Sequence, residues 1–336
     1  MVSHIIAARP NFIKANHVIK NLYKNGLENC IVHTNQHYDY EMSQIFFQEL
    51  EIPKPDFNLG IRSGSHGEQT GNAIIAIEKN LKETNPNLVV VYGDVNSSLA
   101  AAIAASKLNI PVFHVESGCR SFDRTMPEEI NRILIDNISS CLFCTEDSAR
   151  DNLISEGFPN EMIKLVGNTA IDSLNNIINN HVIDEIPGKY YLATFHRPFN
   201  VDNEERLNKL LKRVNALKYP VVIPAHPRLK NKIKSKYKNI QFIKPLGYLD
   251  FISHIKSSEG VISDSGGIQC ECAYLGVPLL TVRPSTEHIL SLSYGNKLVS
   301  PEGIYDESFT KVKSDIPKMW DGNASKRIAD IIKNLI

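Results

Sequence analysis

The chain of 336 residues reads as an α/β protein built from two doubly wound domains that face a cleft. Three observations predict this. Short β-rich apolar runs alternate with helical stretches from end to end. The alternation occurs twice. The polar stretch 180–189, with Pro187-Gly188, separates the two rounds. In the first round the strands are expected at Ser3–Ala7, Cys30–His33, Leu88–Tyr92, Val112–His114 and Cys141–Phe143. The second round offers Tyr191–Thr194, Val221–Ile223, Val261–Ile262 and Leu279–Val282. Between strands, Asn11–Leu22 places Phe12, Ala15, Ile19 and Leu22 on one helical face. The last segment, Asn323–Ile336, aligns Ile328, Ile331, Ile332 and Leu335. Such alternation gives parallel sheets covered by helices on both faces. The expected division is 1–180, 181–322, and a final helix 323–336.

Composition narrows the classes. Lys+Arg and Asp+Glu balance at 37 each, which argues against a general nucleic-acid binder and makes any anion site local. No apolar run reaches the length of a membrane span, and the start reads as a first strand rather than a leader, so a cytoplasmic protein is expected. Six cysteines in a chain this long do not make a disulfide framework. Cys141 and Cys144 lie in an apolar run, and Cys270 and Cys272 have no histidine near in sequence, so buried thiols are the expected reading. No His or Cys spacing suits a metal.

In doubly wound sheets ligands bind beyond the carboxyl ends of the strands, so residues just after strands carry the interest. After the first strand, Arg9-Pro10 opens a helix and Lys14 follows about one turn on. The pair either faces an anion or is simply solvated. Gly93-Asp94 ends an apolar strand, and Asp94 is either functional or a cap to the helix that follows. Glu116, after the next strand, is a poor capping residue and harder to explain structurally. Pro127-Glu128-Glu129 suits a first helical turn, and Glu128 with Arg132 could form a surface pair. Yet three acids, Asp94, Glu116 and Glu128, recur near one edge. Crowded carboxylates split their proton affinities, which is what moving a proton on a neutral group requires. In the second round, Asp264-Ser265-Gly266-Gly267 opens a helix whose small residues let backbone N–H groups approach a phosphate. His196-Arg197 and His226-Pro227-Arg228 add cations. Neither a P-loop nor a dinucleotide fingerprint is present.

Taken in order, these motifs resemble the non-hydrolysing UDP-N-acetylglucosamine 2-epimerases. The resemblance runs through Arg-Pro-Asn-Phe-Ile-Lys (9–14), His-Thr-Asn-Gln-His-Tyr-Asp (33–39), Gly-Ser-His-Gly-Glu-Gln-Thr (64–70) and Gly-Asp-Val-Asn-Ser-Ser (93–98). It continues through Glu-Ser-Gly (116–118), the run 121–132, Gly-Asn-Thr (167–169), His-Arg-Pro (196–198) and Asp-Ser-Gly-Gly-Ile-Gln (264–269). It implies two Rossmann-like domains of the glycosyltransferase B type, with the final helix returning to the first. It also implies reversible conversion of UDP-N-acetylglucosamine to UDP-N-acetylmannosamine, by elimination and re-addition of UDP through a bound glycal-like intermediate. No cofactor is implied. Carried over by motif, Asp94, Glu116 and Glu128 are the acid–base groups and His196 assists UDP departure. Arg9, Lys14 and Arg132 handle nucleotide and phosphate charge, and Ser265, Gly266 and Gly267 approach the diphosphate. Glu271 binds the ribose. Gln36 and His37 match a second substrate-contacting region, while His226 and Arg283 add cations. The resemblance further implies a homodimer, a product that feeds surface polysaccharide, and neither nucleic-acid nor membrane partners.

The sequence departs from the family pattern in four places. Ala7-Ala8 precedes Arg9, Cys270 replaces an acid, and Phe199 follows His-Arg-Pro. The usual Thr-Glu-Arg-Pro-Glu becomes Thr286-Glu287-His288-Ile289-Leu290, which removes an arginine expected at the diphosphate. A 2-epimerase of a related UDP-sugar, of the 2,3-diacetamido uronic acid type, is therefore the alternative substrate reading. A hydrolysing epimerase and a non-catalytic UDP-sugar sensor stand behind it.

Overall fold

The computed structural model describes residues 1–336 apart from 35–50, 63, 226–228, 230, 231, 234–236, 311, 313, 314 and the Arg9 side chain. Contacts divide it into two units, Met1–Asn179 with Lys318–Ile336, and Asn180–Pro317.

The first unit holds β1 (Val2–Ile6), β2 (Asn29–His33), β3 (Phe57–Asn58), β4 (Leu88–Tyr92), β5 (Val112–Ser117), β6 (Cys141–Cys144) and β7 (Ile163–Leu165). They form one sheet in the order β3-β2-β1-β4-β5-β6-β7, parallel throughout. The second unit holds β8 (Tyr191–Thr194), β9 (Val221–Pro224), β10 (Ile240–Ile243), β11 (Gly260–Ser263), β12 (Leu279–Thr281) and β13 (Asn296–Leu298). Their order is β10-β9-β8-β11-β12-β13, again all parallel. Each is a doubly wound, Rossmann-like sheet. Each reverses winding once, between β1 and β4 in the first and between β8 and β11 in the second. The crevice at such a switch point is where this architecture accepts ligands, because the two loops there diverge to opposite faces.

The central strands are continuous apolar runs because helices cover both faces. Leu88–Tyr92 is wholly buried. The helix Asn96–Lys107 presents Ala100, Ala101, Ala104 and Ala105 to the core, where their small side chains let neighbouring elements approach closely. In the second unit Leu207, Leu210, Leu211 and Val214 of the helix Glu204–Asn215 pack on Val221 and Ile223. The helix His66–Thr84 starts with a capping box in which Ser65 and Glu68 satisfy each other's backbone donors. The Gly-Ser-His-Gly-Glu motif therefore has a structural use.

The chain end belongs to the first unit. Asp172 accepts from the backbone N–H groups of Ala324 (3.2 Å) and Ser325 (2.6 Å), capping the helix Ala324–Leu335 from a distance. Trp320, fully buried, donates through Nε1 to the Thr145 carbonyl at 3.3 Å. Ile328, Ala329 and Ile332 are buried.

His4 lies on β1, fully buried. Its Nδ1 is 2.8 Å from the Tyr92 hydroxyl and its Nε2 is 2.8 Å from Asn29 Oδ1. The amide oxygen only accepts, so Nε2 carries the proton and the ring is neutral. Burial pushes its pKa down to about 4. A histidine ordinarily titrates near 6.5, so the folded state binds fewer protons than the unfolded one below that pH. The contribution is complete above pH 6.5 and is lost as pH falls to about 4. A shift of this size corresponds to roughly 3 kcal/mol. Melting temperature is expected to fall through this window and to fall less in His4→Gln. Equal slopes in the two proteins would remove His4 as the cause.

Candidate active site

The first unit's expected residues gather at the β1/β4 switch. Lys14, on the helix Arg9–Lys24 that follows β1, reaches Glu116 Oε1 at 2.7 Å. Burial pushes the Lys14 ammonium down, but the charges of Glu116 and Asp94 outweigh it and hold its pKa above the usual value. Lys14 therefore stays cationic between two of the three predicted acids. Asp94 does not cap the helix Asn96–Lys107; that position belongs to Val95. Instead Asp94 accepts from Arg132, at 2.9 Å from Nε and 2.8 Å from Nη2.

Arg132 is buried, not the surface partner its spacing allowed. Its Nη1 lies 2.5 Å from Glu129 Oε2. Glu129 in turn accepts from the Ser121 backbone and hydroxyl and from the Phe122 backbone, at 2.9–3.1 Å. Glu128 sits beside it in the first turn of the helix Pro127–Ile138, half-buried.

Glu116 was expected after its strand. It lies within β5, at a shift of register between Val115 and Ser117 against β6. Its φ is +77°, in the left-handed region that a side chain enters at a cost of about 1–3 kcal/mol. A bulge of this kind re-aims the bulged side chain. Two glycines border it for steric reasons. A Cβ on Gly118 (φ +75°) would stand 2.2 Å from the Ala149 carbonyl oxygen. One on Gly93 (φ +61°) would meet Lys14 Nζ at 3.0 Å and Glu116 Oε1 at 3.6 Å.

The second unit's residues gather at the β8/β11 switch. Asp264, fully buried after β11, is the organiser. It accepts from the backbone N–H groups of His196 (3.1 Å) and Arg197 (3.0 Å) and from Asn200 Nδ2 (3.1 Å). His196 Nδ1 stands 3.1 Å from it. Burial raises the Asp264 carboxyl, but these hydrogen bonds and the charge of His196 hold it below the usual range. The next residues, Ser265, Gly266 and Gly267, lead into the helix Gly267–Leu275, with the Ser265 backbone N–H on Ser263 Oγ at 3.0 Å.

Arg283 is buried and pairs with Glu287 at 2.8 Å. A Cβ on Gly266 would meet Glu287 Oε1 at 2.9 Å, His288 Nε2 at 3.6 Å and Arg283 Nη1 at 3.7 Å, so the altered 286–288 segment borders the glycine turn. Two of the four departures touch. Cys270 Sγ is 3.5 Å from His288 Nδ1. Glu271 is buried beside the Tyr248 hydroxyl, 2.7 Å away, and burial pushes its carboxyl up to about 6.

Gln36, His37 and His226 lie outside the described residues, as does the side chain of Arg9. The sequence reading missed Asp264 as a hub, Asn200, and the buried group of His114, Asp136 and Arg120 described below. The spacing Glu128, Arg132, Asp136 repeats every fourth residue and marks one helical face, a signal that was available. None of the six cysteines forms a disulfide. Among the described residues no group of His, Cys, Asp and Glu could hold a metal, and no described helix is long and apolar enough to cross a membrane.

These features define a class: a two-unit doubly wound α/β protein with cation-buttressed carboxylates at one switch point and a histidine beside a glycine-led helix start at the other. Comparison with known proteins narrows it. The model of the family described as UDP-N-acetylglucosamine 2-epimerase matches residues 20–333, and the chain belongs to that family of isomerases. A UDP-N-acetylglucosamine 2-epimerase of Methanocaldococcus jannaschii is 42% identical over 323 residues, covering 89% of this chain and 87% of that protein. A UDP-2,3-diacetamido-2,3-dideoxy-D-glucuronate 2-epimerase of Pseudomonas aeruginosa is 40% identical over 349 residues, covering 98% and 99%. The crystal structure of the M. jannaschii UDP-GlcNAc 2-epimerase with UDP-GlcNAc and UDP superposes with a TM-score of 0.88 at 38% identity, covering 99% of each chain. The fold is thus of the glycosyltransferase B type, with two Rossmann-like units.

Proposed function

We propose that this protein reversibly epimerises UDP-N-acetylglucosamine to UDP-N-acetylmannosamine at carbon 2, by elimination and re-addition of UDP. One observation carries the reading. Asp94 and Glu116 stand at the β1/β4 switch, paired with the buried Arg132 and the half-buried Lys14 respectively. Inverting a carbon centre needs a group that removes the proton from one face and a group that returns it to the other. Asp94, Glu116 and Glu128 are the groups we assign to this work. Lys14 and Arg132 keep the neighbouring charge balanced, so the carboxylates can act without mutual repulsion. Expulsion of UDP makes carbon 1 electron-poor and loosens the hydrogen on carbon 2.

The leaving diphosphate is assigned to the second unit. His196 has Nδ1 turned to Asp264, so its other nitrogen, Nε2, is the atom we give to the diphosphate. Gly266 and Gly267 supply backbone donors and the positive end of a helix, Ser265 its hydroxyl, and Arg283 a fixed cation. Glu271 is assigned to the ribose hydroxyls. Arg9, Gln36, His37 and His226 keep the substrate-binding roles implied by motif alone. The resemblance supports a homodimer and a product that feeds surface polysaccharide. Six cysteines without a disulfide suit the reducing cytoplasm.

A second reading keeps the chemistry and changes the sugar to a 2,3-diacetamido uronic acid. It is favoured by the Cys270–His288 contact, which replaces two family residues at the glycine turn, and by nearly equal identity to the two kinds of relative. Proton NMR in heavy water separates the two. UDP-N-acetylglucosamine should yield a manno anomeric signal, with deuterium entering at carbon 2. Turnover of the diacetamido uronate alone would support the second reading. Free N-acetylmannosamine accumulating with UDP would move the protein to the hydrolysing class.

A further inference from the structure

Behind the carboxylates lies a buried group that this reaction scheme does not use. His114, on β5 and fully buried, has Nδ1 2.6 Å from Asp136 Oδ1 and Nε2 3.1 Å from the Gly93 carbonyl. Both ring nitrogens thus lie within hydrogen-bond distance of an oxygen. Asp136, also fully buried, accepts from the Gly118 backbone N–H at 3.1 Å and from Arg120 Nη2 at 2.7 Å. Arg120 is held in turn by Glu156, at 2.8 Å through each of Nε and Nη2. Burial raises the Asp136 carboxyl, and the bonds and charges from His114 and Arg120 outweigh that and hold it below the usual range.

The arrangement has a definite geometry. Glu116 is the strained residue of the β5 bulge. One carboxylate, Asp136, reaches the chain on both sides of it: through His114 two residues before, and through Gly118 two residues after. Ser117 Oγ closes the bulge from within, donating to the His114 carbonyl at 2.7 Å. The other nitrogen of His114 holds the Gly93 carbonyl, immediately before Asp94. Asp136 itself stands one turn beyond Arg132 on the helix that carries Glu128. Three backbone segments bearing the three acids therefore meet at two side chains.

We propose that His114 and Asp136 form a positioning dyad that fixes the β5 bulge and the Gly93-Asp94 turn, and so sets the mutual placement of Asp94, Glu116 and Glu128. The inference deepens the function proposed above and rests on it. Neither residue exchanges a proton with substrate. A purely structural role would lower stability and leave the turnover of folded molecules unchanged; a positioning role lowers turnover itself.

The test uses Asp136→Asn and His114→Gln. In Asp136→Asn the charge is lost, and the amide NH2 faces either His114 Nδ1, which must then become an acceptor, or the Gly118 and Arg120 donors, so the tie between the two flanks is weakened. In His114→Gln the side chain can still reach Gly93 and loses Asp136. Turnover of UDP-N-acetylglucosamine is counted per UDP-binding molecule, so unfolded protein drops out. Each variant is expected to lose about 10²-fold in kcat, the usual consequence of misplacing a reacting group by about 1 Å. The dissociation constant for UDP should stay within about twofold. The limbs of the pH–rate profile should not move, since the dyad carries no proton in the reaction. Wild-type kcat in a folded variant overturns the proposal, as does a displaced limb, which would make His114 a proton carrier.

Amide exchange of the unliganded wild type keeps the proposal testable even if both variants fail to fold. The Gly118 amide should be protected, and rapid exchange there would show that Asp136 does not hold it. If the wild type itself does not turn over UDP-N-acetylglucosamine, the proposed function fails, while the exchange experiment still judges the dyad.

Discussion

Replacing Glu116 by glutamine is expected to lower kcat by about 10²–10⁴-fold, the range typical of removing a general acid or base. At 1.36 kcal/mol per tenfold, the barrier rises by roughly 3–5 kcal/mol. Glutamine has nearly the same shape and meets the same backbone strain at φ +77°. Its amide oxygen can still accept from Lys14. What disappears is the capacity to take a proton. UDP affinity should change by less than about threefold, because the nucleotide contacts are assigned to the second unit. Deuterium should no longer enter carbon 2 in heavy water at a measurable rate. Full activity in this variant would sink the assignment of Glu116. Loss of UDP binding together with turnover would instead make it a binding residue.

Arg132→Met is expected to be the most destabilising of these changes, by about 3–5 kcal/mol. Arg132 joins two acids from different segments, Asp94 after β4 and Glu129 in its own helix. Methionine fills much of the same volume and leaves Glu129, 1% exposed, without its cation. Breaking one half of a buried pair costs far more than the pair contributes, because the remaining charge cannot regain its water. The deficit should shrink as pH falls, since an uncompensated buried carboxyl takes up a proton more readily. The double variant Arg132→Met with Glu129→Gln should recover part of the loss, which a double-mutant cycle in urea would measure. An unchanged unfolding midpoint in the single variant would mean that the Glu129 charge is met by another group.

Much of the fold was legible because its central strands are apolar on both faces. Every internal strand of both sheets, from β1 and β4 to β8 and β11, was placed to within a few residues. The four strands missed were β3, β7, β10 and β13, and these are the four sheet edges. Edge strands are short and covered less completely, so Phe-Asn, Ile-Lys-Leu or Asn-Lys-Leu carries no strong periodic signal. Among site residues, those just after strands were legible because the doubly wound sheet puts ligands there. Asp264 was read as part of a motif and not as its hub, because its importance lies in three donors contributed by residues 196–200.

The sequence by itself determined the doubly wound class, the two rounds of alternation, the family, and the acids and glycines that the motifs carry. These follow from hydrophobic period and local turn chemistry, which act over a few residues. Only the tertiary structure decided how those residues are paired. It turned the expected surface partner Arg132 into a buried bridge, put Glu116 on a bulge rather than past its strand, and set His114 and Asp136 on both flanks of that bulge. Partners far apart in sequence, such as His114 with Asp136 (22 residues) or Lys14 with Glu116 (102 residues), are chosen by the register of strands and the rotation of helices. Neither is written in any short stretch of the chain.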